Sequence, residues 1–375
     1  MGFRGVRDVG RRIGGLAALL AAVATLLIPG ACGAGSGDRG ERPARQVILF
    51  LGDGMGFEQV KAGGLFVAGR AGSLAFEGFP FTGRVATGNV FGEITDSAAA
   101  ATALATGVKV ANGVLSLRIP GDGRPLETIL ERFRARGRSG GLVTTTYLTH
   151  ATPAAFGAHR ATRSEYAGIA EDYLTRSRPE VLLGGAKHLG RAQAEEAGYA
   201  VVTTAAELAA LDTETTGRLA GLFGADHLPF EADGLGVLPH LREMTRTALA
   251  VLDNDPDGFF LLVEGGRIDH ASHRNDIART VAEVAEFSRA VAEAVAWAAA
   301  HPDTLIVVTA DHETGGLTVV RSRGLGEPPE VTWSTNGHTD REVPAYAAGP
   351  GAAPVAGLLD HTDLHGILLD AAGLR

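Results

Sequence analysis

The chain has 375 residues, 45% of them apolar, and carries 43 acidic against 34 basic side chains for a formal net charge of −9. That apolar share excludes wholesale disorder, and an acidic balance without basic clusters argues against nucleic acid as a dedicated partner. A single cysteine excludes an intramolecular disulfide and a thiolate zinc cluster.

Residues 1–32 read as an export signal. Arg4, Arg7, Arg11 and Arg12 precede an apolar run from Leu16 to Ile28, and small residues follow at Gly30, Ala31, Gly33 and Ala34. The run is short for a transmembrane helix. Cys32 stands where a bacterial lipoprotein signal puts its lipidated cysteine, which would tether the protein to a membrane. Pro29 replaces the usual leucine three residues earlier, and simple cleavage nearby, for instance after Ala34, is the alternative. Residues 33–44 form a glycine-rich flexible tether and residues 45–375 a single catalytic domain. The expected location is periplasmic, cell-surface or secreted.

Past the tether, short apolar runs alternate with longer helical patterns. The runs cover residues 46–51, 141–146, 180–183, 259–264, 304–310 and 343–347. Their β-branched content suits strands buried on both faces. Ile277, Val281, Val284, Ser288, Val291, Val295 and Ala298 recur at steps of four and three, predicting a helix with one buried face. Such alternation predicts an α/β fold: a three-layer sandwich with a central, mainly parallel sheet and helices on both faces. Active sites in these sheets form at the carboxyl ends of the strands. Function is therefore sought in the residues that follow each run.

Asp53 follows the first run between Gly52 and Gly54, which let the backbone approach an ion; Asp-Gly is also ordinary turn chemistry. Asp96-Ser97 precede an alanine-rich, helix-forming stretch. This places Ser97 at a helix N-terminus, where free N–H groups and the dipole favour an anion. A plain helix cap is the alternative, and nucleophilic use requires a metal to release the serine proton. His150, Thr152 and Arg163 follow the second run, and an arginine fork suits two phosphate oxygens. Glu264 ends the fourth run; with Thr152 it offers oxygen ligands for a hard cation such as Mg²⁺. Asp269 and His273, four apart, share a helical face, and with His338 supply three ligands of the kind that hold a catalytic zinc. A polar helix face is the alternative there. Asp311 and His312 are adjacent, so both reach one metal only where the strand has ended and the chain is turning. His188, His227, His240, His301, His361 and His365 are expected at the surface.

Taken in order, residues 47–56, 95–103, 150–153, 264–270, 309–316 and 337–339 resemble the alkaline phosphatase family. Residues 190–258 show little that matches. The resemblance implies an alkaline-phosphatase-like fold and hydrolysis of small-molecule phosphate monoesters through a phosphoserine on Ser97. It implies one zinc on Asp269, His273 and His338, and a second on Asp53, Asp311, His312 and the Ser97 oxygen. A magnesium would sit on Asp53, Thr152 and Glu264, with Asp53 bridging. Arg163, thirteen residues after His150, matches the family's phosphate-clamping arginine. His150 and His270 stand beside the third metal where some bacterial members have Asp and Lys. Only 25 residues separate His312 from His338, so the crown insertion of animal members is absent; a homodimer remains implied. Two rivals stay open: a phosphodiesterase of the same superfamily, and a tethered phosphate-binding protein without turnover. A sulfatase is excluded, because alanines follow Ser97 where its motif needs Pro and Arg.

Overall fold

The computed structural model describes residues 43–375; the expected export signal, Cys32 and residues 33–42 of the tether lie outside the described residues. Ala44 is already buried and donates its N–H to Ala371 O at 2.6 Å.

The strands in chain order are β1 Gln46–Leu51, β2 Phe81–Ala86, β3 Ser139–Tyr147, β4 Val181–Gly185, β5 Ala200–Val202, β6 Leu219–Leu222 and β7 Phe259–Glu264. There follow β8 Thr304–Thr309, β9 Glu313–Thr314, β10 Thr318–Arg321, β11 Glu330–Thr332, β12 His338–Thr339, β13 Val343–Ala348 and β14 Gly357–Asp360. Ten of them form one sheet in the order β14-β2-β13-β8-β1-β7-β3-β4-β6-β5. Only β13 runs antiparallel to its neighbours β8 and β2 in that sheet. All six predicted strands belong to it. Every residue of β1, β7 and β8 is buried, which is why their unbroken apolar runs were so easily read.

The helices Phe57–Ala68, Leu241–Leu252 and Ile277–Ala298 pack together against the sheet, and Ser97–Thr106, Ala151–Gly157 and His361–Ala371 form a second group. The result is a three-layer α/β sandwich. In the long helix Asp276 caps the Arg279 N–H at 3.1 Å. Its stripe buries Val281, Val284, Ser288 and Val291, while Val295 is 39% exposed. Phe287 from this stripe meets Phe50 of β1 edge-on at 5.9 Å.

Four sheet strands were not anticipated. β5 has three residues, β6 is a Leu-Ala-Gly-Leu tetrad, β14 is largely exposed and β2 alternates in burial around Gly83. A side chain at Gly83 would lie 2.1 Å from the Val355 carbonyl, so close backbone packing there replaces side-chain signal.

Candidate active site

Parallel pairing aligns the strand ends that matter. Leu51 of β1 lies opposite Glu264 of β7 and Thr309 of β8, and Thr144 of β3 lies opposite Glu264. The chain then turns out of the sheet at Asp53, Asp311-His312 and the Gly265-Gly266 bend before the helix Arg267–Ser272. Asp311 and His312 do fall beyond the end of β8, as their joint use of one site requires. Gly54 takes φ 70°, and a side chain there would come within 2.7 Å of Thr314 Oγ1 and 3.0 Å of Asp269.

Three groups of carboxylates and imidazoles result. The first is Asp269, His273 and His338. His273 donates Nδ1–H to Asn336 O at 2.6 Å, and His338 donates Nδ1–H to Thr95 O at 2.9 Å. Carbonyls only accept, so each ring when neutral carries its proton on Nδ1 and presents an Nε2 lone pair. Those atoms stand 3.1 Å apart, and Asp269 Oδ1 lies 3.2 and 3.6 Å from them. A shared cation fits such a gap. The second group is Asp53, Asp269 and His312, and Asp311 Oδ2 lies 3.1 Å from His312 Nε2. Asp269 thus serves both groups. The third is Asp53, His150 and Glu264, so His150, read as a neighbour of the third metal, belongs to the cluster itself. Thr152 is fully buried on the adjoining helix.

The buried atoms Asp53 Oδ1 and Oδ2, Asp311 Oδ2, Glu264 Oε1, Thr152 Oγ1 and His150 Nδ1 have no hydrogen-bond partner. Orphaned oxygens of this kind are costly unless something positive meets them. Burial, with the carboxylates of Asp311, Asp269 and Glu264, pushes Asp53 well above the usual range. Burial likewise lifts Glu264 to about 7 and Asp311 to about 6. At Asp269 burial pulls upward, but the His273 hydrogen bond and nearby imidazoles overcome it and hold the carboxyl well below its ordinary value. The same bond raises His273 to about 9. Burial keeps His312 and His150 well below theirs. Four carboxylates crowded in one dry pocket, their free oxygens converging, are the donor set of a multi-cation centre.

Ser97 opens the helix Ser97–Thr106, and the capping falls to Asp96, whose Oδ1 accepts the Ala99 N–H at 3.0 Å. The serine hydroxyl is thereby left free, buried and 3.3 Å from His312 Nε2. Arg163 reaches the same place: Nη1 bonds Asp96 Oδ2 at 3.1 Å and Nη2 bonds His150 Nε2 at 3.3 Å. Arg267 Nη1 bonds His270 Nδ1 at 2.8 Å, fixing that ring beside His150, 5.5 Å between centroids.

The expectation of six surface histidines fails in part. His361 and His365 are buried, bonding Ala310 O and Leu104 O, each at 3.1 Å. Burial depresses both to about 4. His227, half-buried, sits 4.5 Å from His270, and His188 lies on the same wall. The sign that would have found His188 was available, since it follows β4 as the ligands follow their strands; His227 follows β6, which leaves no such run in the sequence.

A buried serine freed from capping at a helix start, beside cation sites and a guanidinium, defines a metal-dependent hydrolase of phosphate esters that works through a serine intermediate. The family profile described as alkaline phosphatase matches residues 44–189 and 179–329. The chain is 36% identical to a streptomycin-6-phosphate phosphatase of Streptomyces griseus, over 90% of this chain and 92% of that protein. It is 31% identical to alkaline phosphatase H of Pseudomonas aeruginosa, over 89% and 86%. A cold-active alkaline phosphatase from a Shewanella species superposes with a TM-score of 0.79 at 31% identity, covering 87% of this chain and 99% of that one. The chain belongs to the alkaline phosphatase family. Its substrates are small phosphate monoesters.

Proposed function

We propose that Ser97 carries the phosphoryl group and that Arg163 holds the phosphate, with two Zn²⁺ and one Mg²⁺ as the cations. Asp269, His273 and His338 would hold one zinc. Asp53, Asp311, His312 and the Ser97 oxygen would hold the other, and Asp53, Thr152 and Glu264 the magnesium, with His150 in the same cluster and His270 beside it. Bound there, the cations supply positive charge that acidifies the serine hydroxyl and a water and offsets charge on the leaving oxygen.

The chain's own groups do the rest. The Ser97 oxygen forms a bond to phosphorus as the ester P–O bond breaks, and the departing alcohol takes up a proton. Water then splits the serine–phosphate bond, restoring the hydroxyl and releasing inorganic phosphate. Arg163 and the N–H groups opening the Ser97 helix meet the charge on the equatorial oxygens. Asp96, tied to both the helix start and Arg163, keeps serine and guanidinium in register. Action outside the cytoplasm is supported by the pattern of residues 1–32, ending in lipid attachment at Cys32 or in simple cleavage nearby, with residues 45–375 as the catalytic domain. The homodimer rests on family resemblance.

The observation that carries the assignment is the uncapped Ser97 hydroxyl, 3.3 Å from His312 Nε2. Replacing Ser97 by Ala should lower monoester turnover by orders of magnitude while metal content by elemental analysis stays unchanged. Near-normal turnover would return Ser97 to a structural role.

A further inference from the structure

Beyond His150 the wall of the cleft is aromatic. Tyr147 ends β3, His188 follows β4, His227 follows β6, and Tyr166 begins a helix three residues after Arg163. Tyr166 and His188 lie face to face, 4.3 Å between centroids and 4° from parallel. Tyr147 meets both edge-on, at 5.8 and 5.7 Å, and stacks on His227 at 4.5 Å. It also meets His150 edge-on at 5.2 Å, which in turn bonds Arg163.

Two further features mark this wall. His188 is exposed, yet its backbone holds φ 68°, a left-handed conformation that costs a non-glycine residue free energy. The wall is also braced. Lys187 pairs with Asp226 at 3.0 Å, the Tyr147 N–H reaches His227 Nδ1 at 3.3 Å, and the Leu228 N–H bonds Thr145 O at 3.0 Å. A strained, exposed ring mounted on a rigid base beside the phosphate clamp is a recognition surface.

We propose that Tyr166 and His188, backed by Tyr147 and His227, form the subsite for the alcohol part of the substrate and select esters bearing a flat heteroaromatic ring, namely nucleoside 5′-monophosphates. The proposal rests on Ser97 and Arg163 being the phosphate centre. Arg163 and Tyr166, three residues apart, are separated by at most about 10 Å of chain, a reach that a ribose between phosphate and base matches. Every nucleobase has a π-face, so such a wall takes any of them.

The test compares adenosine 5′-monophosphate with glycerol 2-phosphate on the full enzyme, using Tyr166→Leu combined with His188→Asn. Asparagine tolerates the left-handed backbone, so the loop is kept while the ring is lost. In the double variant the ratio of kcat/KM for the nucleotide over the glycerol ester should fall about tenfold, mostly through KM. Tyr166→Phe, which keeps the ring, should hold the native ratio. Free adenosine should inhibit the native enzyme competitively and the double variant hardly at all. An unchanged ratio, or a native enzyme with no preference for the nucleotide, overturns the subsite. If neither ester is hydrolysed, the phosphate centre has been misread. Calorimetric binding of adenosine to the native protein, lost in the double variant, would then still uphold the subsite, and its absence would overturn it.

Discussion

Thr314 is the residue whose loss should separate metal affinity from everything else in the site. Its hydroxyl donates to Asp269 Oδ1 at 2.5 Å and lies 3.3 Å from His312 Nδ1. A hydroxyl has one proton, so with that proton given to Asp269 it accepts Nδ1–H from His312. That assignment leaves His312 Nε2 bare, on the side of Asp53, Asp311 and Ser97. One buried hydroxyl therefore sets the orientation of a carboxylate shared by two clusters and the tautomer of the imidazole between them. Thr314→Val keeps the shape and removes both bonds. One of them goes to a carboxylate, so the loss to stability is about 2–4 kcal/mol. Partners behind metal ligands typically contribute 10- to 100-fold to affinity, and Thr314 backs two ligands at once. Competition with a chromogenic zinc chelator should show about 10- to 100-fold weaker binding, and denaturant melts of the metal-free protein should show the stability loss. Thr314→Ser should restore both. Zinc affinity within twofold of native in the valine variant would refute the hydrogen-bond argument.

Arg163→Ser should cost about 30- to 1000-fold in kcat/KM for a monoester, from the loss of ~2–4 kcal/mol of charge-assisted bonding, and much less for a diester. Equal small effects on the two substrates would favour the diesterase alternative. Glu283, nearly fully buried in the long helix, accepts the Glu231 N–H at 2.8 Å, and burial raises it from 4.5 to about 8. The folded chain therefore keeps a proton that the unfolded chain has lost between about pH 4.5 and 8. Stability on this account is full at low pH and falls as pH rises, by at most about 1.4 kcal/mol per unit. Glu283→Gln should flatten that fall and outlast the native protein at pH 8 in denaturant melts; parallel curves for the two proteins would show that Glu283 ionises freely.

How far the site could be read in advance followed from which residues announce themselves. Glu264 ends, and Asp53 and Asp311-His312 closely follow, strands buried on both faces, where a polar residue breaks an apolar run. Asp269 and His273 show themselves by helical spacing. Ser97 was legible as a helix start but ambiguous as a cap, and only the structure assigns capping to Asp96. Tyr147, Tyr166, His188 and His227 come from separate segments, a strand end, a helix start and two loops, with no spacing in common. They meet because β3, β4 and β6 are neighbours in the sheet, and β6 is too short and glycine-containing to be seen in the sequence. Likewise the burial of His361 and His365 depends on the last helix packing under the Ser97 helix, a contact with no local trace.

The strand order also fixes when, during synthesis, this protein can become an enzyme. β1 is paired on one side with residues 259–264 and on the other with 304–309, so the earliest strand waits for partners from the last third of the chain. No part of the sheet's centre can close around it before then, since parallel pairing across such a separation must bear the full entropy of the intervening loop. The cation donors are split the same way, from Asp53 to His338, and no early fragment contains a complete set. A nascent chain of this design stays open until nearly all of it exists. If residues 1–32 direct export, as proposed above, late closure keeps the chain threadable and postpones metal capture to the far side.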